Sequence, residues 1–335
     1  MKVSILGAGS WGTALGQILV DNKNEVLLWS ITKDTVDEIN NAHTNSAYFG
    51  KDVILPAELK ATDSLEKAVD FAECIIFAIP TVAISDVAKN ANKILNKKVY
   101  IVNVSKGFNP GDDERMSNTL RNCIDEEKRY PIVSLIGPSH AEEVILRMLT
   151  LVTSTCLDLE TGKVIQELFS NNYFRVYTNE DEIGAEVGAA VKNTIALAAG
   201  CLVGLGYGDN AKAALVTRGL VELSRFGIAL GGQIKTFFGL TGLGDLMVTC
   251  NSIHSRNFCA GLEIGKTRDV EGFLKSNKKT VEGLRTCKVI HDLSQKYNIE
   301  MPICDGVYQV LYNHADPVKV IEQLMLRTLK NEDIN

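Results

Sequence analysis

The opening residues constrain the fold of this chain more than any other segment. An apolar stretch at residues 2–6 leads directly into Gly7, Gly9 and Gly12, and residues 13–20 have the apolar spacing of a helix. The order strand, Gly-x-Gly-x-x-Gly, helix is typical of a site for the pyrophosphate of a dinucleotide. In such a site Gly7 permits a tight turn, Gly9 lets the phosphates approach the backbone, and Gly12 lets helix and strand pack closely. The amides at the start of the helix would bind the phosphates.

Strand and helix patterns then alternate through the first half of the chain. This alternation predicts a mainly parallel sheet covered by helices on both faces, with ligands at the carboxyl ends of the strands. We expect further strands at residues 25–29, 72–79, 99–104, 132–136, 149–155 and 174–177. We expect helices at residues 33–40, 82–95, 113–123 and 160–169.

The pattern changes near Glu180, where long helical segments rich in Ala, Leu and Gly replace the short strands. We therefore expect a dinucleotide-binding domain at residues 1–180 and a helical substrate and catalytic domain at residues 181–335. The predicted fold class is α/β of the Rossmann type, with a mainly parallel sheet, followed by an all-α C-terminal domain. Helices of that second domain are expected at residues 183–203, 281–297 and 318–329.

Composition narrows the class of protein. The 335 residues carry a formal net charge of −6, which argues against general nucleic-acid binding because that needs a broad basic face. The eight cysteines are dispersed without a Cys-x-x-Cys pair, so we expect neither a metal site nor a disulfide framework, and a cytoplasmic location. The N-terminus is itself a core strand, which argues against a targeting segment. The longest apolar stretch, residues 194–207, is shorter than the ~18 residues of a membrane span.

The type of nucleotide depends on the end of the second predicted strand. Proteins that bind NAD usually place an acid there, about 20 residues beyond the glycines, to bind the ribose hydroxyls. Here Ser30, Ile31, Thr32 and Lys33 follow Trp29. Lys33 is a candidate for binding the 2′-phosphate of NADP, or it simply begins a helix in water. Both NAD and NADP therefore remain open as the cofactor.

Two segments of the first domain carry candidate site residues. Lys106 follows the predicted strand at 99–104, which would place it at the carboxyl edge of the sheet beside the nicotinamide, although a surface lysine is the alternative. The strand at 132–136 runs into a turn at Gly137 and Pro138, after which Ser139 and the amides near Ala141 would point to the same crevice. For the neighbouring His140 we favour a local turn or capping role over that of a proton donor.

Lys192 is the candidate for acid–base chemistry. It lies in a helical segment of small residues, 188–195, whose close packing would bury the stem of the side chain. Loss of water around the ammonium group should lower its pKa, which suits a residue that exchanges a proton with an alcohol oxygen. The alternative is that the amine reaches the surface.

A glycine-rich turn in the second domain carries further candidates. Glycines 239, 242 and 244 permit a sharp turn that would aim Asp245 into a cleft. Arg256, between Ser255 and Asn257, has suitable chemistry for binding a phosphate. The alternative is a connection between helices in which the aspartate is an N-cap.

Together these segments resemble the bacterial-type NAD(P)-dependent sn-glycerol-3-phosphate dehydrogenases along essentially the whole chain. The resemblance rests on residues 7–14, Ser105-Lys-Gly107, Gly137-Pro-Ser139, Val191-Lys-Asn193, Gly242-Leu-Gly-Asp-Leu246, Ser255-Arg-Asn257 and Val281-Glu-Gly283. It implies reversible hydride transfer between NAD(P)H and dihydroxyacetone phosphate, giving sn-glycerol 3-phosphate for phospholipid synthesis.

The resemblance also implies roles for individual residues. It makes Lys192 the proton donor in reduction and the acceptor in oxidation. The residues implied to bind the nucleotide, besides Gly7, Gly9 and Gly12, are Ser10, Trp11, Lys106, Ala141, Arg256 and Glu282. Those implied to surround the substrate are Lys106, Gly137, Ser139, Lys192, Asp245, Ser255, Arg256 and Asn257.

Other functions stay open from the residues alone. A related dehydrogenase of a hydroxyacyl thioester, a hydroxyacid or a sugar acid would share the fold, although a lysine rather than a catalytic histidine argues against the thioester. A non-catalytic NAD(P) redox sensor would need the glycine turn but neither Lys192 nor Arg256. A purely structural protein would leave the embedded lysine unexplained. The oligomeric state also stays open, a homodimer included.

Overall fold

The computed structural model describes residues 1–277, 280–329 and 331–332. The chain divides into two compact units. Residues 1–105 and 109–182 form the sheet unit, and residues 106–108 join the chain from residue 183 onward in the helical unit.

One sheet of eight strands runs through the sheet unit, in the order β3-β2-β1-β4-β5-β6-β7-β8. Neighbouring strands are parallel except for β6 and β7, which are antiparallel. The sequence order of the strands reverses between β1 and β4, and in open parallel sheets such a reversal marks the ligand-binding crevice. The strands are β1 Lys2–Leu6, β2 Glu25–Trp29, β3 Lys60–Thr62, β4 Cys74–Phe77, β5 Tyr100–Asn103, β6 Val133–Ile136, β7 Thr150–Thr155 and β8 Phe174–Asn179.

Helices cover both faces of this sheet, which is why central strands such as β4 are apolar at every position. Side chains of β1 alternate between two buried clusters, Val3 and Ile5 in one and Leu6 in the other. The helices are α1 Ser10–Asp21, α2 Lys33–Asp37, α3 Ser46–Phe49, α4 Leu65–Phe71, α5 Thr81–Ile94, α6 Met116–Cys123, α7 Ala141–Val144 and α8 Leu159–Phe169.

Two features of the sheet were not predicted. Strand β3 is only three residues long and begins with a lysine, so it has no apolar run to reveal it. Strand β7 runs antiparallel to β6 because the connection between them contains only the single turn α7 rather than a helix that crosses the sheet. The predicted class, a mainly parallel sheet followed by an all-α unit, is confirmed.

The helical unit contains the helices that follow the sheet. They are α9 Glu182–Gly204, α10 Asp209–Ala229, α11 Ile234–Phe237, α12 Asp245–Asn251, α13 Arg256–Thr267, α14 Val270–Ser276, α15 Glu282–Lys296, α16 Pro302–Tyr312 and α17 Pro317–Met325. The helices predicted at 183–203, 281–297 and 318–329 correspond to α9, α15 and α17, and the other helices of this unit were not predicted.

Helices α9 and α13 touch through their backbones. A Cβ atom on Gly200 of α9 would lie 2.0 Å from the carbonyl oxygen of Phe258, and one on Gly261 of α13 would lie 2.0 Å from that of Leu197. Gly204 and Gly265 are in equally close contact with the opposite helix, at 2.4 and 2.2 Å. Only glycine permits so close a crossing, so these contacts fix α13 against α9.

The apolar stretch at residues 194–207 is shorter than a membrane span, but α9, which contains most of it, is longer than that stretch. Its 23 residues are long and apolar enough to cross a membrane by length and composition, but 78% of its most apolar window is buried within the protein. A core helix of this kind has the same composition as a membrane span.

A buried carboxylate joins α10 to α16. Glu222 accepts hydrogen bonds from the backbone amides of Ile303, at 2.7 Å, and Cys304, at 3.1 Å, in the first turn of α16. Pro302 opens that turn, where its missing N–H costs nothing. Burial raises the pKa of Glu222 to about 7, against the opposing effect of the two amides.

Candidate active site

The glycine turn after β1 has the form expected of a phosphate-binding site. Gly7 has a φ of +127°, and a Cβ atom there would lie 2.4 Å from the carbonyl oxygen of Ala78. A Cβ atom on Gly12 would lie 1.9 Å from the carbonyl oxygen of Gly7. Gly9 differs, because the atom nearest to its Cβ position is the Tyr48 hydroxyl at 3.9 Å. The fold therefore requires the first and third glycines, whereas the second leaves room for a ligand.

The start of α1 offers unused hydrogen-bond donors beside that room. Gly9 is the N-cap and has no side chain to bind the amides of the first turn, which begins with Ser10 and Trp11. The indole Nε1 of Trp11 is buried and has no hydrogen-bond partner among the described residues. Amides at a helix N-terminus bind phosphates well, so the residues present fit a dinucleotide.

Asn45 supports the turn and was missed by the sequence analysis. Its carboxamide Nδ2 donates to the carbonyl of Ala8 at 3.0 Å and to Thr13 Oγ1 at 2.9 Å, and its side chain is almost fully buried. Because Asn45 lies 32 residues from Thr13, no local pattern pointed to this contact.

The residues after β2 carry no acid in the position where NAD-specific proteins place one. Ser30 Oγ accepts a hydrogen bond from the amide of Thr32 at 3.1 Å, and Ile31 is 84% exposed. Lys33 is exposed at the start of α2. Its role toward a 2′-phosphate stays a prediction.

The turn after β6 is built around another close approach. A Cβ atom on Gly137 would lie 2.8 Å from Cα of Val152, since β7 passes directly beside it. Ser139 Oγ donates to the carbonyl of Gly137 at 3.0 Å, and Ala141 begins α7. His140 is the N-cap residue of that helix through its backbone carbonyl, while its ring makes no capping hydrogen bond.

Three charged residues of the helical unit form one buried cluster, which we call the charged cluster. Lys192 Nζ donates to Asp245 Oδ1 at 2.6 Å and to Thr249 Oγ1 at 2.7 Å. Lys106 Nζ donates to the other carboxylate oxygen, Asp245 Oδ2, at 2.9 Å. The side chains of Lys192 and Asp245 are only 6% and 1% exposed, and that of Lys106 is 19% exposed. One carboxylate therefore holds two ammonium groups side by side.

Burial dominates the protonation equilibrium of Lys192. It lowers the pKa of Lys192 to about 8, Asp245 opposes this change, and the positive charge of Lys106 adds to it. For Asp245, burial alone would raise the pKa, but the two lysines hold it below its ordinary value. The lowering expected from the sequence thus occurs, and Lys192 does not reach the surface.

The backbone around Asp245 explains how it reaches Lys192. A π-helical turn, Leu240–Gly244, leads directly into α12, whose first residue is Asp245. A Cβ atom on Gly188 of α9 would lie 2.7 Å from the carbonyl of Thr241, so this turn packs tightly on the helix that carries Lys192. The alternative in which Asp245 is an N-cap is wrong, because Gly244 is the N-cap and the carboxylate binds the lysines.

Two of the three side chains in the segment 255–257, Ser255 and Asn257, make hydrogen bonds that stabilise the fold. Ser255 Oγ accepts from the amide of Phe258 at 3.1 Å and so caps α13. Asn257 donates to Asn193 Oδ1 at 2.9 Å and accepts from the amide of Gly283 at 2.9 Å. It thus links the residue after Lys192 to the first turn of α15, which begins at Glu282.

Arg256, in contrast, is exposed at the start of α13, and its guanidinium has no ion pair or hydrogen bond with any described residue. It is therefore free to bind an anion. Within the described residues, no group of three or more His, Cys, Asp or Glu side chains is arranged to hold a metal ion.

Two family models match this chain. The NAD-dependent glycerol-3-phosphate dehydrogenase N-terminus matches residues 2–162, and the C-terminus of the same family matches residues 181–322. A glycerol-3-phosphate dehydrogenase (NAD(P)+) of Listeria monocytogenes serotype 4b is 49% identical over 331 residues, covering 99% of this chain and 98% of the relative. The enzyme of that name from Streptococcus thermophilus is 46% identical, covering 99% and 97%.

Solved structures agree with this relationship. The glycerol-3-phosphate dehydrogenase of Coxiella burnetii has a TM-score of 0.90 and 34% identity, covering 97% of this chain and 98% of that one. A D-mandelate dehydrogenase at 16% identity and a TM-score of 0.61, covering 94% and 98%, shares the fold alone. With both family models and relatives of nearly half-identical sequence along almost its whole length, this chain belongs to the NAD-dependent glycerol-3-phosphate dehydrogenase family.

Proposed function

We propose that this chain is an NAD(P)-dependent sn-glycerol-3-phosphate dehydrogenase, which reduces dihydroxyacetone phosphate to sn-glycerol 3-phosphate and catalyses the reverse oxidation. Family membership supports the reaction. The observation that carries the chemistry is the buried contact of 2.6 Å between the Lys192 amine and the Asp245 carboxylate. A lysine with a pKa of about 8 can both give and take a proton near neutral pH.

In this proposal Lys192 is the acid and base. When bound, the reduced nicotinamide supplies the hydride, and its oxidised form accepts one in the reverse reaction. As the carbonyl carbon is reduced, negative charge develops on its oxygen, and the Lys192 ammonium stabilises that charge and then donates its proton. In oxidation, the neutral Lys192 amine removes the hydroxyl proton.

Asp245, Thr249 and Lys106 complete the proton-transfer machinery. Asp245 holds the Lys192 ammonium and raises its pKa against the effect of burial, which keeps the donor form populated at pH 7. Thr249 Oγ1 lies 2.7 Å from Lys192 Nζ and fixes the direction of the amine. Lys106 supplies a second positive charge that would attract a phosphorylated substrate.

The remaining site residues are proposed as ligand contacts. Arg256 would pair with the substrate phosphate, since its guanidinium is exposed, has no ion pair or hydrogen bond with a described residue and is suited to bidentate binding. The substrate contacts are Lys106, Gly137, Ser139, Lys192, Asp245, Ser255, Arg256 and Asn257. The nucleotide contacts are Gly7, Gly9, Ser10, Trp11, Gly12, Lys33, Lys106, Ala141, Arg256 and Glu282.

We further propose a dinucleotide-binding domain at residues 1–180, a helical domain at residues 181–335, and a cytoplasmic enzyme whose product enters phospholipid synthesis. All eight cysteines are unpaired, which suits a reducing compartment. A homodimer is the proposed assembly. Exposed Leu151 and Tyr177, on the two last strands of the sheet, are candidate contact residues, and sedimentation of the purified chain tests it.

One assay tests the reaction. The consumption of NADH and of NADPH with dihydroxyacetone phosphate is followed separately for the wild type, Lys192→Met and the control Lys288→Met, which changes an exposed lysine of the same unit. We expect Lys192→Met to lower turnover about 100- to 1,000-fold, as loss of a preorganised donor typically does. Lys288→Met should match the wild type.

Two outcomes contradict the proposal. Equal turnover of Lys192→Met and wild type removes Lys192 from the mechanism. Binding of NADH or NADPH by the wild type with no turnover of this substrate supports a non-catalytic redox sensor instead.

A further inference from the structure

We propose that Phe108 is a positioning residue that anchors Lys106 beside Asp245, so that the second positive charge of the charged cluster is set by an apolar contact two residues away. The inference deepens the proposed function and rests on it. Phe108 would act through Lys106 rather than by direct contact with the substrate or cofactor.

The chain around Phe108 shows an unusual connection. Residues 106–108, which we call the strap, belong to the helical unit together with the chain from residue 183 onward, whereas the residues on either side of the strap belong to the sheet unit. Ser105 Oγ donates to the carbonyl of Ile79 at 2.8 Å, and the amide of Asn109 donates to the carbonyl of Glu114 at 2.8 Å. Both ends of the strap are thus fixed within the sheet unit.

Within the strap, the backbone turns at Gly107, whose φ of +151° is one that residues with a side chain rarely adopt. This glycine separates a lysine that must meet a carboxylate from a phenylalanine that must be buried. Lys106 Nζ lies 2.9 Å from Asp245 Oδ2, and Phe108 is only 4% exposed.

Phe108 belongs to the same buried apolar cluster as Val191 and Leu246. Val191 immediately precedes Lys192, and Leu246 immediately follows Asp245. Each of the three charged residues therefore lies one or two positions from a member of one close-packed cluster. Such packing allows little displacement, so the cluster fixes where the three side chains begin.

Burial of Phe108 would hold the strap in place while Lys106 reaches its ion-pair partner Asp245. A lysine side chain loses much rotational freedom when it is ordered, and its ammonium is strongly hydrated in water. We infer that burial of the Phe108 ring offsets these costs, and that a truncated side chain would release Lys106 from Asp245.

Release of Lys106 has a consequence that can be measured at Lys192. The charged and titratable groups with the largest effects on the pKa of Lys192 are Asp245 from α12, Lys106 from the strap and Cys250 from α12. The pKa of the Cys250 thiol is raised to about 12 by burial, so this group is neutral. Removal of the positive charge of Lys106 should therefore raise the pKa of Lys192.

The experiment compares Phe108→Ala with Lys106→Met, with Phe108→Leu as the conservative replacement, and with Phe273→Ala. Phe273 is a matched control, because it is a phenylalanine of the helical unit with 5% exposure that lies in a different apolar cluster. Competitive acetylation of the full-length chain over a range of pH, read by mass spectrometry, gives the reactivity of each lysine. The pH dependence of kcat/KM for reduction is measured on the same variants.

We expect Phe108→Ala to increase acetylation of Lys106 several-fold. The alkaline limb of the reduction profile should move to higher pH in Phe108→Ala, as in Lys106→Met. Phe108→Leu should remain close to wild type, and Phe273→Ala should lower Tm without changing either readout.

The inference is overturned if Phe108→Ala shows the same acetylation of Lys106 and the same alkaline limb as the wild type. It is also overturned if Phe273→Ala changes both readouts as much as Phe108→Ala does. If Phe108→Ala does not fold, Phe108→Val is read in the same way. A wild type that fails to turn over the substrate contradicts the proposed function, whereas the acetylation of Lys106 still decides the role of Phe108.

Discussion

Replacement of Asp245 by asparagine removes the negative charge of this side chain and nearly preserves its size and shape, so it tests the effect of the charge alone. Opposite charges about 4 Å apart interact by about 4 kcal/mol at an effective dielectric constant of about 20. A neighbouring opposite charge typically changes a pKa by about 1–3 pH units. Because Asp245 is buried and 2.6 Å from Lys192 Nζ, its loss should lower the pKa of Lys192 by an amount in that range.

In Asp245→Asn we expect the alkaline limb of the pH profile of kcat/KM to move to lower pH, in addition to any loss of rate. In the proposed mechanism reduction needs the protonated Lys192, so kcat/KM should fall as pH rises through the pKa of Lys192, which is about 8 in the wild type. At pH 7 such a group is about 90% protonated, and a limb moved by about two pH units leaves about 10%. Reduction at pH 7 should therefore fall from about nine-tenths to about one-tenth of its own low-pH plateau.

The assay follows the loss of reduced nicotinamide absorbance with dihydroxyacetone phosphate across the neutral and alkaline range. The oxidation limb, measured with sn-glycerol 3-phosphate, should move in the same direction, because neutral Lys192 then appears at lower pH. Glu182→Gln is the matched control, since Glu182 is a buried carboxylate that binds two cations, Arg115 and Arg121, in the sheet unit. Its limb should not move. A limb of Asp245→Asn at the wild-type pH or above would refute the assigned electrostatics.

Three further predictions test other parts of the structure. Gly12→Ala should destabilise the fold by about 3 kcal/mol, because its Cβ would overlap a carbonyl oxygen. Gly9→Ala should leave Tm nearly unchanged and weaken NADH binding about tenfold. Denaturant unfolding measures the first effect and fluorescence titration the second, and a stable Gly12→Ala would contradict the packing. Arg256→Ala should raise KM for dihydroxyacetone phosphate about 10- to 100-fold without moving the pH limb, and an unchanged KM would exclude Arg256 as the phosphate anchor. The pKa of Glu222 is raised in the folded state, so the stability that this group contributes is present below pH 4.5 and is lost as pH rises to about 7. Relative to Glu222→Gln, the wild type should lose about 3 kcal/mol of unfolding free energy over that range. Parallel curves of unfolding free energy against pH for the two proteins would contradict the burial.

The sequence predicted those parts of the fold that repeat along the chain or depend on local geometry. Strand β4 is apolar at every position because helices cover both faces of the sheet, and this pattern is visible without a structure. Strand β3 has three residues and joins the sheet only through its pairing with β2. In the helical unit, α10 is long but mixes small, polar and apolar residues, so it lacks a clear apolar stripe.

The site shows the same division between local and distant information. The burial of Lys192 follows from its small neighbours, which the sequence shows. Its pairing with Asp245, 53 residues away, and that of Lys106 with Asp245, 139 residues away, depend on tertiary packing that no local pattern encodes. Thr249 was missed although a signal existed, since it lies one helical turn after Asp245 and therefore on the same face of α12.

The glycine contacts between α9 and α13 have a consequence for inherited variation. Helix α9 carries Lys192, and α13 begins at Arg256, so a change in their crossing would displace the proposed acid from the proposed phosphate anchor. A single added methyl group at Gly200, Gly204, Gly261 or Gly265 would meet the opposite backbone at 2.4 Å or less. Missense alleles at these four codons should therefore abolish growth that depends on this enzyme as completely as alleles of Lys192 itself, although none of the four residues needs to touch a ligand.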